Sequence, residues 1–356
     1  MTLLRITNTP RDYAWGSVDL IPDLLGVEPS GNPQAEIWFG THPGSPSITS
    51  AGESLADKTA PLGFLAKFLA AAKPLSIQAH PSRQHAAQRF AAGHPGYSDP
   101  NHKPELIAAV TPFRALCGFR PSAQTAELLA ALAESDESFR PWQTAFASGG
   151  YRAATQWALA QSGEVADRLV GLAAAIPDSA ELLRSIHEHF PSDPGLLMAL
   201  LMNFVELVPG EALYLPAGNI HAYLSGLGVE VMAASDNVLR GGLTPKQIDI
   251  PELMEVLDFS ELENPKANQK LLIAGLVEYQ TDCDDFKVYR VEPSSSNLLV
   301  DLSLRGKGIL LCTSGEIAIS TSKEETLELR RGEACFFGGA NFFSILGSGT
   351  GYLAMG

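Results

Sequence analysis

A chain of 356 residues, 45% hydrophobic and 18% charged, is long enough to bury two or three cores and too apolar to be disordered. Its 40 acidic and 25 basic residues leave a formal net charge of −15, which argues against nucleic acid and anionic membranes as partners but not against a small anion held by a local basic cluster. The four cysteines (Cys117, Cys283, Cys312 and Cys335) form no C-x-x-C pair and read as free buried thiols; with no signal pattern and no apolar run of bilayer length, the expected location is cytoplasmic.

In chain order, residues 1–120 are rich in Pro and Gly, with strand-like runs at 35–40, 75–79 and 106–110, and residues 61–72 read as a short helix. From Ser122 to about Met202 the texture becomes Ala- and Leu-rich with helical spacing, giving predicted helices at 125–134, 151–161, 164–175, 179–189 and 195–203, punctuated by Pro141, Pro177, Pro191 and Pro194. Strand character returns at 204–207 and runs on to 228–233. A short helix is predicted within 244–257, with Thr244 as N-cap and Pro245 at its first position. Residues 260–270 are polar and read as a linker, and from Leu271 onward strands and glycines alternate.

The pattern predicts a mainly β fold with an α insertion: residues 1–120 plus 203–262 as a discontinuous catalytic unit, 121–202 as a helical insertion, and 263–356 as a C-terminal unit. Within the first unit, Val208-Pro209-Gly210-Glu211 opens a strand–turn–strand stretch that leads through Pro216-Ala217-Gly218-Asn219 to His221. This Gly–five–Pro–x–Gly–two–His spacing resembles the second signature of the cupin β-barrels, whose histidine is a metal ligand. The stretch Arg331-Gly332-Glu333 through Phe343 repeats the spacing, with Gly338 in place of Pro216 and Phe343 in place of His221. The expected architecture is two cupin-like (jelly-roll) β-barrels, the second without its metal ligand, plus an all-helical domain.

Upstream, Lys73-Pro74-Leu75-Ser76-Ile77-Gln78-Ala79-His80-Pro81 alternates so that Ser76, Gln78 and His80 share one strand face. In Asn101-His102-Lys103-Pro104-Glu105, an extended chain puts Lys103 and Glu105 on one face and His102 on the other, although Pro104 interrupts regular pairing. Taken singly, Gln78 is an ordinary strand residue, Glu105 a surface carboxylate and His221 a polar turn residue. Together, Gln78, His80, Glu105 and His221 make a two-nitrogen, two-oxygen set suited to one zinc, with a single carboxylate leaving the site net positive. His42, His85, His94, His187 and His189 lack this context and are assigned to solvent or local hydrogen bonds. The segment 235–246 (SDNVLRGGLTPK) reads on composition as a strand-to-helix connection with a tight loop at Gly241 and Gly242 beside Arg240.

The segments PLSIQAHP, NHKPE, VPAGNIHAYLSG and SDNVLRGGLTPK together resemble the type I phosphomannose isomerase (mannose-6-phosphate isomerase) family of the cupin superfamily. The resemblance implies zinc at Gln78, His80, Glu105 and His221, a catalytic arginine at Arg240, and substrate-pocket positions at Ser76, Lys67, Lys103 and Lys246. It implies interconversion of mannose 6-phosphate and fructose 6-phosphate through a cis-enediol. Lys103 is the favoured acid/base, with His102 and Asp236 as the other candidates. The chain departs from the family at Ala234, where many members carry Asn, and it is short. A phosphorylated hexose is the expected partner and a monomer the default state. The alternatives are an isomerase of another sugar, phosphorylated or free, and a non-enzymatic sugar-binding cupin.

Overall fold

The computed structural model describes residues 2–295, 299–302, 306–321, 325–339 and 343–356. Its strands fall into two antiparallel sheets, nine strands and ten strands among the described residues. The spine of the nine-stranded sheet is the strand His221–Ala233, which changes partners along its length. Its first residues pair with Ile77–Ala79 and Phe113–Phe119; its later ones pair with Phe64–Ala71 on one side and Glu105–Ala109 on the other. Leu239–Gly242 adds beyond Ile77–Ala79, and Glu36–Phe39 beyond Phe64–Ala71. One strand thereby gathers the segments that carry Lys67, Gln78, Glu105, His221 and Arg240.

Alternation then decides what each residue faces. Phe64, Ala66, Phe68 and Ala70 point into a core shared with Ile309, Leu311, Phe336 and Ala354 of the ten-stranded sheet. Leu65, Lys67 and Leu69 point the other way, into a cavity. At the His221 end, Ile77, Ala79, Ile220, Ala222 and Leu239 pack on the apolar helix Gly195–Leu201.

The helix expected at 61–72 is instead the strand Phe64–Ala71, buried along its whole length. Its apolar residues fall at i, i+1, i+4 and i+5, which imitates a helix. A strand covered on both faces has no polar alternation to reveal it. The expected short helix at 244–257 is Ile250–Val256, capped not by Thr244 but by Asp249, whose carboxylate accepts from the Glu252 N–H at 3.1 Å.

Every regular element from Ser122 to Leu201 is helical. The segment Arg140–Leu159 was expected only in its second half; Pro141 sits in its first turn, where no N–H partner is needed, and Gly150 breaks the helix in the middle. Backbone pairing crosses the expected division by residue number, Leu213 bridging to Lys266 and the N-terminal strand joining the late ones. Thr2–Thr7 and Ile48–Thr49 belong to the ten-stranded sheet, because Thr2–Ile6 pairs with Ala334–Gly338 and gives that strand a second neighbour. The strand ladders run as open paths, and no closed barrel is found among the described residues.

The repeated turn is a repeat of geometry. Gly210 and Gly332 have φ of 89° and 86°, a conformation suited to glycine. In each turn the following glutamate reaches back to the main chain: Glu211 accepts from the Val208 N–H at 3.0 Å, and Glu333 from the Arg330 N–H at 2.7 Å. The turns lead by way of Ala212–Leu215 and Ala334–Gly338 to thirteen-residue strands, His221–Ala233 and Phe343–Met355. Phe343 is buried and its ring lies 4.8 Å from that of Phe337. Residues 340–342 of the second stretch lie outside the described residues.

Leu197 is fully buried between the helices and the back of the site strands. Leu197→Ala is expected to cost about 2–5 kcal/mol of stability, read by denaturant unfolding. A midpoint equal to that of the parent chain would show that this contact does not tie the helices to the sheet.

Candidate metal centre and substrate cavity

Three buried side chains converge on one point: His80, Glu105 and His221 offer ligand atoms that all lie within 4.8 Å of one another. The Nε2 atoms of His80 and His221 each lie 3.3 Å from a different oxygen of Glu105. These contacts are not hydrogen bonds. His80 Nδ1 is 2.7 Å from the Asn237 carbonyl, and His221 Nδ1 is 3.0 Å from the Asn219 carbonyl. A carbonyl only accepts, so each ring carries its proton on Nδ1 and presents a bare lone pair at Nε2. Both Nε2 atoms and Glu105 Oε2 are buried without a hydrogen-bond partner. Buried orphan acceptors aimed at each other are costly, and a divalent cation among them removes that cost.

Burial pushes His80 down to about 4, against the opposing pull of Glu105, so its imidazole is neutral and ready to ligate. Burial acts to raise the Glu105 carboxyl, but the charge around it, the Lys103 ammonium 3.2 Å away included, holds it ionised, well below the usual range. Gln78 is the direct cross-strand partner of both His221 and Arg240, and it lines the cavity beside Glu105.

The turn that delivers His221 depends on one glycine. Gly218 has φ of 80°, the third position of a turn in which the Asn219 N–H donates to the Pro216 carbonyl at 3.2 Å. That turn places the Asn219 carbonyl against His221. The Asn237 carbonyl is placed by the Asn237 side chain, which is fully buried and bonded to Ser98, Asp99 and Asn101.

Above the centre opens a cavity of about 730 Å³. Ser76, Lys67, Lys103, Asp236, Arg240 and Lys246 all line it, together with Gln78 and Glu105. Lys103 Nζ lies 3.2 Å from Glu105 Oε1, between the metal centre and the cavity. Arg240 has no hydrogen-bond or ion-pair partner among the described residues, and burial lowers its pKa from a value so high that the charge survives. Lys246 is exposed at the rim.

Lys67 reaches the cavity wall, but its charge is already matched. Its Nζ lies 2.9 Å from Glu230 and 3.4 Å from Glu36, the first of these its direct partner in the strand register. Burial disfavours the charged ammonium, and the two carboxylates reverse that and raise its pKa. Tyr223 and Trp38 donate to the same two carboxylates at 2.9 and 2.7 Å. Burial raises the Glu230 carboxyl, with Glu105 and Glu36 adding to the shift against Lys67.

His102 does not line the cavity. It turns to Asp285, 2.7 Å away, which also binds Arg83 at 2.9 and 3.1 Å. Asp236 is half-exposed and lies 3.3 Å from His42, which holds its carboxyl below the usual range. His85 and His94 face Glu252, and His187 faces Asp167. His189, which the sequence placed in solvent or local bonding, lines the cavity from the helical side, as does Lys73 from the sheet side. All four cysteines are free and buried. Glu36, Glu230, Tyr223 and Asn237 were missed in the sequence. The available signal was a single opposite charge in each of two apolar runs, FLAKFLAA and GVEVMA.

A β-rich chain with one buried centre fit for a divalent metal, floored beneath a sugar-sized cavity that carries unmatched cations, has the design of a metal-assisted enzyme for a small anionic substrate. Residues 47–122 match the family model for the phosphomannose isomerase type I catalytic domain. The mannose-6-phosphate isomerases of Salmonella typhimurium and Escherichia coli are 36% and 35% identical to the chain, each over 98% of both chains. The human one is 31% identical over 94% of this chain and 93% of its own. A crystal structure of a point mutant of phosphomannose isomerase from Salmonella typhimurium superposes with a TM-score of 0.88 at 32% identity, over 99% of each chain. The chain belongs to the mannose-6-phosphate isomerase family. No helix among the described residues is long and apolar enough to cross a membrane.

The electrostatics carry a pH prediction for the metal-free protein. The folded His80 takes its proton only near pH 4, whereas the unfolded one takes it near 6.5, so unfolding takes up a proton between these values. Stability contributed by the neutral ring is therefore present above pH 6.5 and is lost as the pH falls toward 4; Glu105, also depressed, acts with the same sign at lower pH. Chelator-treated protein should melt progressively lower between pH 7 and pH 4.5. His80→Leu should flatten that slope, and an equal slope in this variant would refute the assignment.

Proposed function

We propose that the chain interconverts mannose 6-phosphate and fructose 6-phosphate, moving a proton between C2 and C1 through a cis-enediol. The observation that carries this reading is the set of buried, orphaned, lone-pair-bearing atoms of His80, Glu105 and His221, which meets, through Glu105, a cavity also lined by the unpaired Arg240. His80, Glu105 and His221, with Gln78 beside them, would hold one zinc ion per chain. When bound, the ion would supply a positive field for the sugar oxygens that take up charge, with Glu105 the one carboxylate among its ligands.

The protein's own groups divide the remaining work. Arg240 stabilises the negative charge that develops on the enediolate oxygens, since its guanidinium stays cationic and no acid of the protein competes for it. Lys103, held on Glu105 at the edge of the cavity, is the acid/base group. Asp236 serves ring opening, with His42 keeping its carboxylate ionised. Ser76 and Lys246 form the phosphate end. Lys67 contributes structure more than charge: locked between Glu36 and Glu230, it fixes the wall against which the sugar lies. His102, turned to Asp285, orients the segment that carries Lys103. The setting is read as cytoplasmic and the working unit as the single chain, its two sheets cupin-like without closing into barrels and the helices an inserted domain.

The test is a mannose 6-phosphate isomerisation assay with metal analysis, before and after chelation. Activity is expected to vanish with the metal and to return with zinc; turnover that survives metal removal would overturn the reading. A second measurement addresses the acid/base group. Lys103→Ala should slow exchange of the C2 proton with solvent by about 10²–10⁴-fold. Exchange at the parent rate would move the role to another residue.

A further inference from the structure

The loop that follows Arg240 is held in place by a residue of the helical segment. Asp193 lies just before the helix Gly195–Leu201. Its Oδ1 accepts from the Gly195 N–H at 2.7 Å and the Leu243 N–H at 3.1 Å, and its Oδ2 accepts from the Thr244 N–H at 3.1 Å. One carboxylate thus gathers three main-chain donors from two segments, and charge-assisted bonds of this kind are the strong ones.

The backbone it holds is strained. Leu243 has φ of 51°, in the left-handed region that a bulky side chain avoids unless its surroundings enforce it. Just before it, Gly242 has φ of 141°, and a Cβ built there would lie 2.5 Å from Gly195 Cα. A Cβ on Gly195 would in turn lie 2.6 Å from the Leu243 nitrogen. The two segments interlock main chain to main chain, and the carboxylate closes the joint.

Asp193 does not line the cavity, but Leu243, Thr244, Pro245 and Lys246 do. Arg240 is fixed separately, through its ladder position opposite Gln78. We propose that Asp193 is a positioning residue: it holds the turn at Leu243 and Thr244 so that Lys246 stands at the cavity rim for the phosphate of the substrate. The inserted helices thereby act on substrate binding, not only on stability. Without the carboxylate, Leu243 returns to an ordinary conformation and the chain leaves Gly242 in another direction, carrying Lys246 off the rim while Arg240 stays. The inference rests on the phosphosugar reading given above.

The experiment compares Asp193→Asn, Lys246→Ala and the double variant, all metal-loaded, on mannose 6-phosphate. Asparagine keeps the size but turns an amide against one of the three donors. Asp193→Asn should raise KM about tenfold and leave kcat within about threefold, the signature of lost ground-state binding. In the Lys246→Ala background the same change should raise KM no further, because the residue through which Asp193 acts is gone. A merely structural role would instead add its full effect in both backgrounds, and that additivity would overturn the proposal, as would an unchanged KM in the single variant. If Asp193→Asn does not fold, Gly195→Ala displaces the same turn from the helical side and should show the same non-additivity with Lys246→Ala; additive effects there count against the proposal equally. A parent enzyme with no turnover of mannose 6-phosphate would sink the substrate reading itself, a result distinct from a parent that turns over and a variant with normal KM.

Discussion

His80 and His221 each give their one ring proton to a main-chain carbonyl, and the site follows from those two bonds. With the proton committed at Nδ1, the opposite nitrogen can only accept, and it faces a carboxylate that also only accepts. Such a group of atoms is stable in a folded core when something positive stands among them. Lys103 supplies part of that charge from one side. A divalent ion would supply it at the centre. Fixing the carbonyls is therefore as much a part of building the site as supplying the ligands, and two loop asparagines, Asn219 and Asn237, are placed for that purpose by a glycine turn and by a buried amide network.

Much of this was legible in the sequence because strand alternation is simple. Ser76 and Gln78 reach one cavity with Glu105, as a period of two requires, and the helical segments lie near their expected places. What was hidden has physical reasons. The run 64–71 imitates a helix because it is covered on both faces. The matching of Lys67 by Glu36 and Glu230 depends on register between strands far apart in the chain, which no local pattern encodes. The sharing of Thr2–Ile6 with the second sheet is likewise a non-local pairing. Orientation of His102 was ambiguous because Pro104 spoils the alternation that would fix it; the structure resolves it through Asp285.

The two glycine turns show how little separates a binding sheet from a packing one. The glutamate hook, the positive-φ glycine and the long outgoing strand are present in both. At the head of that strand one copy has His221 over a polar centre, and the other has Phe343 packed on Phe337. The second sheet returns its value elsewhere: it backs the cavity wall through a shared apolar core, and through Asp285 it holds the segments that carry His80 and Lys103.

The pairing of Thr2–Ile6 with Ala334–Gly338 also orders events in time. During synthesis the first strand emerges long before its partner exists. It must therefore wait, with only its last residues able to pair with Ile48–Thr49, until the strand Ala334–Gly338 is made. The sheet that backs the cavity is completed only once its late strands have left the ribosome, so an early strand is locked in place by a late one.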